Sequence, residues 1–312
     1  MKKLLLLLTL LLFNAQAFAD GPFVIAVMDP LAKELACDCI AGFAQRDYKA
    51  LADHLKQHGG PRFEKVELVF AGTLQSAIQK SSQKRVDMII GKDSVVRHEL
   101  QQAKMPAWGI ARLTDKQGTT DFTGLVIVAN DDPAKTVADL KKHKLLLGPP
   151  ECDEKHDAAI KLFKKHGVTV PDKPETIDKC TEAGFAIIEN ESEQPIATVV
   201  SDYALALIEG CDLIEKGVLR VIDKTEPVPF ITVFVPKSVD EKTIEVLCST
   251  LPARWNMPPN IQHNLSDSPF DTTKLLEALE SKNGFAPYRT TKDQARWEFF
   301  PVKKEAEGDS KN

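Results

Sequence analysis

The sequence has no excess of positive charge, no signature motif of a common enzyme class and no internal repeat. Its 312 residues contain 40 Lys and Arg against 45 Asp and Glu, which gives a formal net charge of -5. Nucleic-acid binders normally present a basic face to phosphates, so this balance argues against that class. A Gly-x-Ser-x-Gly elbow, a P-loop, a His-Glu-x-x-His motif and a dinucleotide-binding glycine pattern are all absent. We therefore expect a protein that is not an enzyme and that needs no cofactor.

Only one apolar run is long enough to suggest a membrane or export segment, and it lies at the N-terminus. Lys2 and Lys3 precede the run at residues 4–13, and Ala17-Phe18-Ala19 places small residues where signal peptidase reads. The run is too short to cross ~30 Å of hydrocarbon. We therefore expect a signal peptide over residues 1–19, cleaved near Ala19, and a periplasmic protein. No cysteine stands at the cleavage point, so lipid attachment is not expected there.

The rest of the chain alternates short apolar runs with helical patterns. Continuous apolar strands between helices are typical of parallel sheets that are covered on both faces. A length of 312 residues suggests about two domains of roughly 150 residues each. The patterns predict strands at 23–28, 66–70, 86–90, 125–128, 144–147, 196–200, 219–222 and 230–235. They predict a long amphipathic helical segment after the first strand that ends with residues 48–57. Further helices are predicted at 72–84, 94–103, 137–142, 151–166, 203–208, 244–251 and 275–279.

Three segments carry a resemblance to a known family. They are Val86-Asp-Met-Ile-Ile-Gly91, the stretch from Thr136 to Gly148, and Ser201 to Leu207 followed by Leu219-Arg-Val-Ile-Asp-Lys-Thr-Glu-Pro-Val-Pro229. In order and spacing they resemble the phosphonate-type group of type II periplasmic solute-binding proteins. The resemblance implies an α/β fold of two lobes, each a mostly parallel sheet flanked by helices, joined by two hinge crossovers.

The same resemblance implies boundaries, a function and a partner. Lobe 1 would comprise residues 20–122 and 225–300, lobe 2 would comprise 123–224, and 301–312 would form a flexible tail. The protein would capture a small ligand, an oxyanion of the phosphate or phosphonate type, in the cleft between the lobes. It would deliver this ligand to an ABC permease in the inner membrane. We expect it to act as a monomer.

Ligands of open α/β sheets bind beyond the carboxyl ends of the strands, which nominates the loops that follow them. Helix N-termini hold oxyanions, although Thr73, Asp93 and Ser94 are equally good N-caps. Lys92 either supplies positive charge or is solvated, and Tyr203 either walls the ligand or packs in a core. The candidate ligand-binding residues are Asp29, Thr73, Lys92, Asp93, Ser94, Cys152, His156, Asp202 and Tyr203.

The chain departs from the family at one loop. Where the relatives have a turn resembling Ser-Thr-Ser-Gly, this sequence has Glu151-Cys152-Asp153-Glu154. Carboxylates in a first helical turn interact favourably with the helix dipole, which would explain them structurally. They would also repel an approaching phosphonate, so the sequence leaves the identity of the small solute open.

Six cysteines support a second hypothesis. An exported chain is expected to form disulfides, and Cys152–Cys180 is the preferred pair. Alternatively, Cys37, Cys39, Cys152 and His156 are soft or borderline metal ligands, and Cys152 and His156 would share a helix face. The alternative function is therefore a periplasmic metal-binding or redox accessory protein.

Overall fold

The computed structural model of the protein describes residues 21–35, 46, 48–114, 120–210, 214–251, 284–287 and 298–300. The predicted signal peptide, Cys37, Cys39, the predicted helix at 275–279 and the predicted tail lie outside these residues. Within the described part, no helix combines the length and the apolar character needed to cross a membrane.

Strands and helices alternate along most of the described chain. The strands are β1 (Phe23–Met28), β2 (Val66–Phe70), β3 (Met88–Lys92), β4 (Ala107–Thr114), β5 (Asp121–Phe122), β6 (Gly124–Ala129), β7 (Lys144–Leu147), β8 (Glu175–Thr176), β9 (Ile196–Ser201), β10 (Leu219–Lys224), β11 (Val228–Pro229), β12 (Ile231–Pro236), β13 (Gly284–Pro287) and β14 (Glu298–Phe300). The helices are α1 (Tyr48–His58), α2 (Leu74–Lys80), α3 (Asp93–Gln102), α4 (Asp157–Lys165), α5 (Cys180–Ile188), α6 (Asp202–Gly210) and α7 (Glu241–Thr250), with 3-10 turns at Pro61–Phe63 and Val137–Lys142.

Lobe 1 is built on a seven-stranded sheet in the order β13-β4-β12-β3-β1-β2, with β14 also paired to β4. Every residue of β1 is buried, because successive side chains point to opposite faces and both faces are covered. Phe23, Ile25 and Val27 pack in a cluster with side chains of α1 and α7. Val24 and Ala26 pack on the other side with side chains of α2 and α3.

Lobe 2 is built on a five-stranded sheet in the order β10-β6-β9-β7-β8. Val126 and Val128 of β6 pack with Phe163 of α4 on one face. Ile127 packs on the opposite face in a cluster that includes Ile208 of α6 and side chains of α5. The alternation along β6 therefore joins helices on both sides of the sheet into one unit.

The predicted two-lobed α/β fold is confirmed, but each sheet is mixed rather than mostly parallel. β3, β1 and β2 run parallel in lobe 1, as do β9, β7 and β8 in lobe 2. β12 runs antiparallel to both β3 and β4, and β6 runs antiparallel to both β9 and β10. The reason is the route of the chain. β6 and β12 both begin at the crossovers between the lobes, so they run away from the edge at which β3 and β9 end.

The two crossover segments pair with each other. β5 and β11 form a two-stranded antiparallel ladder. Beside it, the Thr225 backbone N–H donates to the Gly124 carbonyl, and the Gly124 N–H donates to Thr225 Oγ1, each at 2.8 Å. The rings of Phe122 and Phe230 lie 4.4 Å apart between centroids, and Tyr203 lies 5.2 Å from Phe230. This ladder and the aromatic cluster therefore hold the two crossover segments together.

Candidate functional site

A cavity of about 590 Å³ opens between the two lobes. Met28, Lys92 and Ser201 line it, and they are the last residues of β1, β3 and β9 respectively. The cavity therefore lies beyond the carboxyl ends of strands from both sheets, as the general rule for α/β sheets predicts. Helices α3, α5 and α6 also begin at its edge, which brings several helix N-termini to the same place.

The loop between β7 and α4 reaches the cavity in a different conformation from the predicted one. The sequence predicts a helix from residue 151, but α4 begins only at Asp157. Residues 149–156, which we call the interlobe turn, form a series of tight turns. The Cys152 N–H donates to the Pro149 carbonyl, and the N–H groups of Lys155 and His156 both donate to the Cys152 carbonyl. The sequence predicted that Cys152 and His156 share one helix face, and this prediction is wrong because both residues precede the helix.

Two glycines allow the interlobe turn to lie close to the sheet. A Cβ at Gly124 would collide with the Glu154 carbonyl oxygen and would approach Val199 Cγ1 to 2.7 Å. A Cβ at Gly148 would lie 2.5 Å from the Cβ of Lys155. Side chains at either position would displace the turn, so these glycines are required by close packing.

A buried ion pair connects the lobes beside the cavity. Lys92 Nζ of lobe 1 donates to Glu154 Oε1 of the interlobe turn at 2.7 Å, and the Ser201 hydroxyl donates to the same oxygen at 2.7 Å. The side chain of Lys92 is 7% exposed and that of Glu154 is fully buried. Burial lowers the pKa of Lys92, but the charge and hydrogen bond of Glu154, together with Cys152 and Tyr203, more than offset it and hold that pKa above its usual value.

A second set of contacts between the lobes lies at the first turns of α3. Arg97 donates through Nε to Asp93 Oδ1 at 2.6 Å and through Nη2 to Asp153 Oδ2 at 2.9 Å. The Asp153 backbone N–H donates to Ser94 Oγ at 3.3 Å. Burial raises the pKa of the Asp153 carboxyl, and Arg97 only partly offsets this effect. Asp153 and Glu154 thus serve as partners of lobe 1 cations, which the sequence did not reveal.

The lobe 2 side of the cavity keeps positive charge and free donors. Lys155 is buried, lines the cavity and donates through Nζ to the Asp178 carbonyl at 3.0 Å. Lys179 precedes α5 at the N-cap position, where no side chain caps the helix, and its ammonium pairs with Glu182 of the same helix at 2.9 Å. The backbone N–H groups in the first turn of a helix have no partner within the helix and attract anions. Thr181 adds a hydroxyl in the same turn. We call this set the lobe 2 anion face.

Three of the nine candidate ligand-binding residues line the cavity: Lys92, Cys152 and Tyr203. Lys92 is already paired with Glu154. Burial raises the pKa of the Cys152 thiol, although Lys92 and Lys155 act in the opposite direction. Burial also raises the pKa of Tyr203 despite the positive charge of Lys92. Both groups therefore face the cavity as neutral hydrogen-bonding side chains.

The other six candidates have structural partners near the cavity. Thr73 caps α2, since its Oγ1 accepts from the Ser76 N–H at 3.2 Å. Asp29 is buried and accepts from Arg46 Nη1 and the Tyr48 hydroxyl, each at 2.6 Å. Asp93 and Ser94 make the α3 contacts described above.

The remaining two of these six candidates stabilise local segments. Asp202 accepts from the Thr123 N–H at 3.0 Å, which ties α6 to the first crossover. His156 pairs through Nδ1 with the Gly148 carbonyl oxygen at 2.7 Å.

The predicted Cys152–Cys180 disulfide is not present, because both residues are free thiols. The sulfur of Cys180 lies 3.9 Å from Lys155 Nζ, so it faces that ammonium instead of a second sulfur. The part of the chain that the structure describes contains no group of three or more His, Cys, Asp or Glu residues arranged to hold a metal. Cys37 and Cys39 lie outside it. The metal-binding alternative therefore gains no support.

Sequence reasoning missed Lys155, Glu154 and Arg97 as site residues. The loop that carries Lys155 and Glu154 follows a predicted strand, but the helix predicted from residue 151 gives the wrong orientation for its side chains. For Arg97, the i to i+4 spacing from Asp93 predicts a local pair. No sequence signal indicates its second partner in the other lobe.

The fold agrees with comparisons to known proteins. A family model described as ABC transporter, phosphonate, periplasmic substrate-binding protein matches residues 44–258. A search of curated proteins gives no match. Among solved structures, PhnD1 from Prochlorococcus marinus in complex with methylphosphonate is similar at a TM-score of 0.55 and 11% identity, covering 86% of this chain and 94% of that one.

Two further structures have the same fold. A binding protein component of an ABC phosphonate transporter from Pseudomonas aeruginosa has a TM-score of 0.52 and 15% identity, with 86% of this chain and 82% of that chain covered. The Xanthomonas citri protein XAC2383 bound to ATP has a TM-score of 0.56 and 14% identity, covering 86% and 92%. Because the family model spans more than half of the sequence, the chain belongs to the family of periplasmic substrate-binding proteins of phosphonate ABC transporters.

Proposed function

We propose that this protein binds a small oxyanion of the phosphate or phosphonate type in the interlobe cavity and delivers it to an ABC permease in the inner membrane. The observation that carries the proposal is the cavity itself, which has walls from both lobes and the lobe 2 anion face at one end. The methylphosphonate complex of the Prochlorococcus marinus protein, which has the same fold, supports this ligand class.

Binding would begin on lobe 2. Lys155 supplies positive charge, and the first-turn N–H groups of α5 and the Thr181 hydroxyl supply hydrogen-bond donors. A charge-assisted hydrogen bond is shorter and stronger than a neutral one, so these donors favour an anion over a neutral solute. Water would be displaced from the cavity when lobe 1 covers the bound anion.

Closure follows from contacts that need both lobes. A ligand that touches both walls binds the closed form better than the open form and therefore raises the closed population. The Lys92–Glu154 and Arg97–Asp153 pairs form only when the lobes meet, so they add to the stability of the closed form. Residues 122–124 and 225–230 would serve as the hinges, because loop segments between lobes absorb the change in backbone angles.

The proposal also covers export of the protein, its oligomeric state and its lobe boundaries. The signal peptide at residues 1–19 would be removed near Ala19, and the mature protein would act as a monomer with the lobe boundaries given above. N-terminal sequencing of the protein from a periplasmic extract tests the first point. A mature chain that begins at Asp20 is expected, and a product that retains residues 1–19 in the cytoplasm would contradict it.

A thermal-shift panel tests the ligand class. Methylphosphonate, phenylphosphonate, inorganic phosphate and arginine would each be added to the purified mature protein. A ligand at one hundred times its dissociation constant stabilises the folded state by about 2.7 kcal/mol, which is a rise in Tm of several degrees. We expect a rise with one of the phosphorus oxyanions and none with arginine. No rise with any oxyanion would argue against the proposed function.

A further inference from the structure

The cavity is much larger than a simple phosphorus oxyanion. Its volume of about 590 Å³ lies within the range of roughly 300–1,000 Å³ that is typical of sites for larger organic ligands. If every non-hydrogen atom of methylphosphonate were given a full water share of roughly 30 Å³, the molecule would fill only about a quarter of this space. Most of the cavity must therefore hold water or another part of the ligand.

The space beyond the anion face is bounded by apolar side chains. On the lobe 1 side, Leu31, Leu35 and Val95 line the cavity, and on the lobe 2 side Ala204 and Ile208 line it. We call these five residues the apolar wall. Water along such a wall lacks polar partners, whereas an apolar group gains both burial and dispersion contacts there. The wall is therefore better suited to hydrocarbon than to solvent.

The distribution of charge in the site also favours a ligand with one anionic end and one apolar end. Lys92 lies on the lobe 1 side, but Glu154 neutralises it and Ser201 supplies a further hydrogen bond to that carboxylate. An anion near Lys92 would also meet the charge of Glu154. The positive groups whose charge remains available to a ligand, Lys155 and the N-terminus of α5, lie on lobe 2. This asymmetry orients a ligand with its anion on lobe 2 and its remainder along the apolar wall.

We propose that the ligand is an organic oxyanion with a sizeable apolar substituent, such as an alkyl or aryl phosphonate or phosphate monoester, rather than inorganic phosphate or methylphosphonate. The proposal rests on the proposed function, because it takes the same cavity and anion face as given. It adds the chemistry of the other end of the ligand.

A chain-length series tests the proposal by calorimetric titration of the mature protein with methyl-, butyl- and octylphosphonate. Burying one methylene in an apolar site improves affinity about fourfold, so we expect the dissociation constant to fall at each step until the cavity is filled. Phenylphosphonate would also bind more tightly than methylphosphonate. Inorganic phosphate would bind most weakly.

A nearly isosteric variant locates the apolar substituent. Val95→Thr replaces a methyl group of the apolar wall with a hydroxyl, so octylphosphonate should lose affinity at least about threefold more than methylphosphonate does. Val96→Thr is the matched control, because Val96 lies on the same helix but packs in the lobe 1 core away from the cavity. We expect Val96→Thr to lower Tm and to leave the ratio of the two affinities unchanged.

The outcomes separate this inference from the proposed function. Methylphosphonate binding without any gain along the series, or with a loss, overturns the inference and leaves the proposed function intact. A failure of every phosphonate and phosphate in the series to bind overturns both. A gain along the series that Val95→Thr and Val96→Thr reduce equally also overturns the inference, because the substituent would then lie elsewhere.

Discussion

The Lys92–Glu154 pair joins the two lobes through two side chains that are both withdrawn from water. Such a pair adds little net stability relative to an apolar pair, because desolvation of both charges offsets their attraction. Loss of one partner is costly, because the other charge stays buried without compensation. The pair therefore makes the contact between lobes specific.

Replacing Glu154 by its neutral isostere tests this interpretation. Glu154→Gln leaves the ammonium of Lys92 buried without a counter-ion, and we expect the free energy of unfolding to fall by about 3 kcal/mol. Urea denaturation at pH 7 measures the change. Asp53→Asn is the control, since the Lys56–Asp53 pair is exposed and its loss should cost less than about 0.5 kcal/mol. Equal effects of the two substitutions would show that the buried pair has no special role.

Cys248 predicts a dependence of stability on pH. Burial raises the pKa of its thiol from 9.0 to about 12. Because the folded pKa lies above the unfolded one, the neutral thiol contributes stability that is complete below pH 9 and is lost as the pH rises toward 12. We expect the free energy of unfolding to decline less steeply between pH 8.5 and 10.5 in Cys248→Ala than in the wild type. Parallel declines would contradict the assigned burial.

The interlobe turn is the element on which the site depends. It supplies Cys152 and Lys155 to the cavity and Asp153 and Glu154 to the contacts between lobes. Its conformation is held by backbone hydrogen bonds within the turn and by close packing on Gly124 and Gly148. A displacement of this one segment would therefore change ligand contacts and closure together.

Gly124→Ala tests the packing of this element. The added Cβ would overlap the Glu154 carbonyl, so we expect a loss of about 1–3 kcal/mol in unfolding free energy and weaker ligand binding. Thermal denaturation and titration with methylphosphonate measure both effects. Gly72→Ala serves as the control, because nothing lies within 4 Å of a Cβ at that position, and its effect on stability should stay within about 0.5 kcal/mol. Comparable stability losses would mean that the turn can relax freely.

The sequence predicts the strands and helices better than it predicts the interlobe turn. The apolar runs at β1, β2 and β7 match the predicted strands closely, because their fully or partly buried side chains leave a clear signal. The amphipathic pattern correctly predicts a helix over the residues of α4, but it also predicts helix from residue 151, where the structure has the interlobe turn. The turn depends on close packing of Glu154 against Gly124, which is distant in sequence, so no local pattern could specify it.

Across the whole molecule, the cleft is defined by pairs of residues far apart in the chain. The order of strands and the family resemblance predicted two lobes and the cleft between them, and both are confirmed. The partners of Lys92 and Arg97 lie 62 and 56 residues away, so their roles depend on how the lobes meet. The sequence therefore located the cavity but could not assign which charges were free to meet a ligand.

The same long-range pairing changes the meaning of the acidic loop. Read alone, three carboxylates beside a helix start would repel an anion. In the structure, Asp153 and Glu154 each pair with a lobe 1 cation, while Lys155 of the same turn lines the cavity. Asp153 and Glu154 therefore contact lobe 1, whereas Lys155 is the residue of this loop that is available to the ligand. This division of roles is compatible with an anionic ligand.

Calorimetric titration of the mature wild-type protein and of Lys155→Met with an alkylphosphonate tests most directly whether Lys155 binds an anion between the lobes. Small-angle scattering with and without the ligand measures closure. Methionine keeps much of the apolar stem of the lysine, so the variant should fold while losing the charge. We predict one site per chain, a smaller radius of gyration in the wild type with ligand, and affinity at least about tenfold weaker in Lys155→Met. Binding that is equally tight in a folded Lys155→Met, or absent from the wild type, would contradict this role of Lys155.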